Sequence, residues 1–234
     1  MNGSLPKAPY LAIEHIEREV EYCLNDARLM PSTAGPVDIE AFLEIYLRVH
    51  LDQHADLDSN VLGLTSILPG ERPCISINRD LTLAAEDDKS PLGIRGRWRA
   101  TCAHEGAHVI FHRTDLEAAS RQLSLFDLDS DPHVALSRQI CLKRDFGRVK
   151  GKTDPREIQA NLGMAALLMP RPVFEPAARK VASAIRSFNP SSAHRLSMMV
   201  QHLAPLFEVS KEAARIRLET LNFHHQEDLN QLSM

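Results

Sequence analysis

The segment Cys102-Ala103-His104-Glu105-Gly106-Ala107-His108-Val109-Ile110-Phe111-His112 sets two histidines four residues apart, with a glutamate directly after the first. Residues four apart share one face of a helix. Two imidazole nitrogens on that face can reach a single ion at about 2.0–2.1 Å, leaving room for a third ligand and a water, which is the open coordination of catalytic zinc. Glu105 stands beside the pair, where it can take a proton from that water. Ala103, Ala107, Val109, Ile110 and Phe111 make this helix core-facing, and unpaired imidazole and carboxylate groups there would be costly without a metal.

His112 repeats the four-residue spacing, but it rises about 12 Å along the axis from His104, too far for one straight helix to gather three donors around one ion. A supporting or a surface role is expected for it. The metzincin pattern HExxHxxGxxH fails because Phe111 stands three residues beyond His108, so the third ligand must come from elsewhere. A carboxylate on a later helix would complete the two-histidine, one-carboxylate set of gluzincin-type peptidases. Glu157 heads the mostly apolar run 157–170, in which Ala160, Gly163, Ala165 and Ala166 permit close helix packing. The same glutamate also suits a plain first-turn acid stabilised by the helix dipole. Asp115, Glu117 and Asp145 remain rivals on spacing.

These side chains need a scaffold. Apolar residues recur at helical spacing from Tyr10 to Met30, and Asp38 can cap a second helix running to about Leu51. Val61 to Leu68 and Pro73 to Asn78 read as two strands around a Pro-Gly turn. Because Pro73 cannot donate to a ladder, the second strand is expected at a sheet edge. Beyond Pro91 everything reads as helix and loop: a long helix from near Gly93 to Arg113, a short one from Asp115 to Phe126, and a polar segment around Asp129 to Pro132. A basic loop with Lys143, Arg144, Arg148, Lys150, Lys152 and Arg156 follows. Asp154 with Pro155 behind it opens a helix through Leu168 that Pro170 closes.

Composition sets the bounds. With 234 residues, 44% apolar and 25% charged, the chain is long enough for a sizeable core in one or two domains. A net charge of −4, from 27 basic and 31 acidic side chains, provides no global attraction to nucleic acid or anionic membrane. Cys23, Cys74, Cys102 and Cys141 form no CxxC pair, so free thiols and a cytoplasmic location are expected, with no membrane partner.

An ordered set of motifs resembles the ImmA/IrrE family of bacterial metallo-endopeptidases, some members of which cleave a repressor encoded beside them. It comprises Pro36-Val37-Asp38-Ile39-Glu40, Val61-Leu62-Gly63, Ile75-Ser76-Ile77-Asn78 and Arg97-Trp98-Arg99-Ala100-Thr101-Cys102-Ala103-His104-Glu105. It continues with Glu157-Ile158-Gln159-Ala160-Asn161, Leu167-Leu168-Met169-Pro170 and Phe207 to Leu218. The resemblance implies that Glu157 is the third ligand to one zinc ion beside His104 and His108. It also implies that the substrate is a regulatory protein, a repressor or antitoxin-like partner encoded nearby, whose cleavage gives derepression.

The fold class expected is α+β: a zincin-like, gluzincin-type core with a small antiparallel sheet beside the HExxH helix. Segment 1–34 is expected as an N-terminal helical extension, 35–189 as the metallopeptidase domain and 190–234 as a helical region resembling a helix-turn-helix. In that last region Ser210 caps the second helix, where Glu212 and Glu219 offset Lys211, Arg215 and Arg217. DNA contact is therefore not favoured over a packing or partner-binding role. His194 and His202 are candidate donors to the oxyanion of a tetrahedral intermediate. Substrate is expected to pair in extended form with the strand at Ile75 to Asn78. The rival class is a non-catalytic regulator or sensor that keeps the metal structurally, and a glutamate placed as a base counts against it.

Overall fold

The computed structural model describes residues 10–68, 70–126, 138–142, 154–186 and 191–223. Helix α1 (Ile13–Asp26) buries Ile16, Val20, Cys23 and Leu24 along one stripe, as the periodicity requires. Asp38 accepts a hydrogen bond from the Ala41 backbone N–H and starts α2 (Ile39–Ala41), which widens into a π-helical turn over Phe42–Tyr46. The expected helix to Leu51 stops there because Arg48 takes a left-handed conformation, φ 55°, which an α-helix cannot continue through. The chain leaves it as a strand, β1 (His50–Ala55), whose polar sequence hid it.

Strands β2 (Val61–Ser66) and β3 (Cys74–Asn78) form as expected and pair antiparallel, with Gly63 opposite Ile77. A further strand, β4 (Arg138–Leu142), lies in the region read as helix and loop, and pairs antiparallel with β2. The sheet order is β1-β3-β2-β4, with β1 and β3 parallel. The sheet is thus mixed rather than antiparallel, because the chain between β1 and β3 includes β2 and returns in the same direction. This also corrects the expected sheet edge. Pro73 precedes the β3 ladder and offers only its carbonyl, which accepts from His50 N at 2.8 Å, so β3 is an interior strand flanked on both sides.

After α3 (Arg79–Glu86), capped by Asn78, comes α4 (Leu92–Phe126), one continuous helix where two were expected. The polar run Arg113-Thr114-Asp115 resembles a break, yet Arg113 and Glu117 pair at 2.9 Å across it and the helix continues. The central turns of α4 are buried all round from Thr101 to Val109, between the sheet on one side and α5 (Pro155–Leu168) on the other. Asp154 accepts from Arg156 N with Pro155 in the first turn, as anticipated.

Helices α6 (Arg171–Arg186), α7 (Ser192–Leu206) and α8 (Lys211–Thr220) complete the described chain. Ser210 caps α8 by accepting from Ala213 N at 3.1 Å. The turn before α8 rests on α4 at Gly96, where a Cβ would lie 2.7 Å from Ser210 N. One apolar core joins residues of α1, the sheet, α4, α5, α6, α7 and α8. No helix among the described residues is long and apolar enough to cross a membrane. The segment Asp129 to Pro132, Asp145 and the basic loop up to Lys152 lie outside the described residues, whereas Arg156 is buried against Asp115 and Asp154 rather than solvated.

Candidate metal centre

Helix α4 carries His104, Glu105 and His108 at 0% exposure, and α5 crosses it closely enough to bring Glu157 to the same point. Gly163 sets that approach: a Cβ there would lie 2.7 Å from Phe111 Cε2 and 2.9 Å from Ala107 Cβ. Gly163→Ala is expected to push α5 away from α4, costing about 1–3 kcal/mol of stability and weakening metal binding through displacement of Glu157. Urea unfolding and metal titration of the same variant check both effects.

The Nε2 atoms of His104 and His108 lie 3.1 Å apart. Glu157 places Oε2 at 3.2 Å from the first and Oε1 at 3.5 Å from the second. Ligands bound at 2.0–2.1 Å to a tetrahedral ion stand about 3.3 Å apart, so these separations suit one ion. The three residues form the group able to hold a metal among the described residues. Burial disfavours a charge on His104, but its hydrogen bond with Glu157 and the nearby charges of Glu105 and Glu157 win, and its pKa is raised. The proton so retained is the one a cation would displace. For His108, burial and then the neighbouring His104 push the pKa well below the usual imidazole range, leaving a neutral ring suited to ligation.

Glu105 is held from the sheet. Thr65 of β2 donates its hydroxyl to Glu105 Oε2 at 2.5 Å. Oε1 is buried without a hydrogen-bond partner, an orphaned acceptor that fits a site where another proton donor is meant to sit. Gly63 makes room for this carboxyl, since a Cβ there would stand 2.9 Å from Oε1. Burial, opposed by His104 and the Thr65 hydrogen bond, raises the Glu105 pKa to about 7.

The sign of that shift gives a prediction for the metal-free protein. An acid whose native pKa is raised from 4.5 to about 7 binds its proton more tightly when folded, so its stability contribution is full below pH 4.5 and lost as pH rises through about 7. A glutamine side chain in its place does not titrate. Between those limits the unfolding free energy of metal-free Glu105→Gln is expected to gain on the metal-free parent by up to roughly 3 kcal/mol, read from urea unfolding at each pH.

The structure brings together His104, Glu105, His108 and Glu157, and leaves the other candidates among the described residues apart. Asp115 pairs with Arg156 and Glu117 with Arg113. His194 and His202 lie on the exposed face of α7, which packs on α6 and α8. His112 is 1% exposed, which excludes the surface role, and its Nδ1 lies 3.0 Å from His108 Nδ1. Two polar partners escaped the sequence reading: Thr65, and Gln159, whose Oε1 lies 2.8 Å from His112 Nε2. A histidine repeated one turn beyond the motif on an apolar helix was the available signal, because a buried imidazole needs a partner.

A peptidase family model described as the IrrE N-terminal-like domain matches residues 133–219. The match takes in β4 and the chain from α5 into α8, including Glu157, while HExxH precedes it, so motif and match are separate observations that meet at one point in space. Residues 133–219 are thus similar to a peptidase domain, and the three residues able to hold a metal ion include one, Glu157, from that stretch. Comparison with curated proteins finds no match.

Proposed function

We propose that the protein is a cytoplasmic zinc-dependent endopeptidase of zincin-like, gluzincin-type architecture that hydrolyses a peptide bond in a regulatory protein. The substrate class is a DNA-binding repressor or antitoxin-like partner, whose cleavage gives derepression. The observation that carries this reading is the convergence of His104, His108 and Glu157 beside a buried, half-partnered Glu105. Two imidazoles and one carboxylate with a position left open are the ligand set of hydrolytic zinc.

Bound there, zinc would acidify a water ligand and polarise the scissile carbonyl. The remaining work belongs to the chain. Thr65 fixes one oxygen of Glu105, so Oε1 is free to accept the proton from the attacking water and hand it on to the leaving amine. With β3 interior, extended substrate is assigned to the outer edge of β4, the strand that ends the sheet beside α4 among the described residues.

A DNA-reading α8 is not supported. Arg217 turns inward to Glu17 and Met169, and Arg215 is engaged by Glu212 and Glu219. The last helices suit packing or partner binding. The test is incubation of the zinc-loaded protein with DNA-binding proteins encoded beside it, with products read by mass spectrometry. A discrete scission blocked by a chelator is expected; survival of every such protein intact contradicts the proposal.

A further inference from the structure

Behind the ligand group a line of polar side chains runs back through α4 to α5. We propose that Gln159 and His112 are positioning residues that lock His108 in the single neutral tautomer able to ligate a metal. The proposal rests on the zinc reading above and extends it to residues that do not touch the ion.

The argument is a proton count. Gln159 presents its carbonyl Oε1 to His112 Nε2 at 2.8 Å, and a carbonyl oxygen only accepts, so His112 carries its proton on Nε2. A neutral imidazole has one N–H, which leaves His112 Nδ1 as a bare acceptor. That atom faces His108 Nδ1 at 3.0 Å, so His108 must donate from Nδ1. Its Nε2 then bears the lone pair, and that nitrogen is the one turned toward His104 Nε2 at 3.1 Å and Glu157 Oε1 at 3.5 Å.

Without the relay, His108 would have reason to choose otherwise. The strongest acceptor near its Nε2 is the Glu157 carboxylate, and an Nε2–H aimed there would occupy the position that a metal needs. The relay offers the proton a partner on the far side of the ring instead. Its members are shielded from competing water, with His112 1% and Gln159 4% exposed. Glu157 and Gln159 lie two residues apart on α5, so one helix supplies both a ligand and the group that sets the tautomer of another ligand. Supporting hydrogen bonds of this kind fix ring orientation, and their loss commonly lowers metal affinity by about 10–100-fold.

The test uses the full chain. Long-range proton–nitrogen correlation spectra of the metal-free parent should show His108 protonated at Nδ1. Zinc affinity, measured by competition with a chromogenic chelator, should fall about 10–100-fold in Gln159→Leu and in His112→Leu. It should stay near the parental value in His112→Asn, whose Oδ1 replaces the Nδ1 acceptor, and in Gln159→Glu at a pH where the new carboxylate is ionised and only accepts. A His108 proton found on Nε2 overturns the proposal. So do leucine variants that fold and bind zinc as the parent does, or an asparagine variant as weak as the leucine one. Should a leucine variant fail to fold, the parent spectrum and His112→Asn decide. A parent that binds no zinc defeats the zinc reading alone, and the tautomer spectrum still judges the relay.

Discussion

Glu105→Gln is expected to slow peptide hydrolysis by about 10²–10⁴-fold while leaving one zinc bound per chain. The substitution keeps the shape of the side chain and an oxygen for the Thr65 hydroxyl, so the α4 to β2 contact should persist. It removes the basic oxygen, and no other described residue stands ready to take the proton: His104 and His108 are committed to the ligand group, and His112 lies behind it. Because Glu105 is not among the three converging residues able to hold a metal, metal content should not change. Measuring kcat/KM alongside zinc content separates the role of base from that of ligand. Parental activity in the variant would refute Glu105 as the base, and with it the objection to a purely structural metal.

Glu17→Ala is expected to destabilise the fold by about 3–5 kcal/mol, an effect as large as any core truncation. Arg217 on α8 is fully buried, and Glu17 on α1 receives its guanidinium through both carboxylate oxygens. Arg217 also donates from Nε and Nη2 to the Met169 carbonyl, at 3.1 and 2.9 Å, and lies 6.0 Å over the Phe174 ring. Removing the carboxylate leaves a cation in a dry interior without its counter-charge, and that uncompensated burial dominates the loss. Replacing both partners with apolar residues of similar volume, Glu17→Met with Arg217→Leu, should recover much of it. Urea unfolding of the single and double variants measures the difference. Since Met169 ends α5, the helix that brings Glu157 to the metal centre, the single variant should also weaken zinc binding.

The parts legible in the sequence were those fixed by local chemistry. HExxH on an apolar helix, the Asp154-Pro155 start of α5 and the Ser210 cap of α8 each follow from residues a few positions apart, and each stands where expected. What escaped depends on long-range pairing. Strand β1 is largely polar and only Ala55 is buried, so no alternation marks it, and its parallel partner lies beyond an intervening strand. The interior place of β3 could not be read from Pro73, because that residue sits just outside the ladder. At the centre, Thr65 reaches Glu105 across 40 positions and Gln159 reaches His112 across 47, distances at which spacing carries no information. Glu157 is the intermediate case. Its helix and first-turn position were readable, while its choice over Asp115 and Glu117 required the crossing of α5 on α4.

The convergence of His104, His108 and Glu157 on one ion is tested most directly on the full chain, purified without chelator and supplied with zinc, by metal content together with X-ray absorption at the zinc edge. One zinc per chain is expected, held by two nitrogens and a carboxylate oxygen at about 2.0–2.2 Å, and lost in His108→Ala and Glu157→Ala. A protein that takes up no zinc, or that keeps it undiminished in both variants, would contradict the assignment.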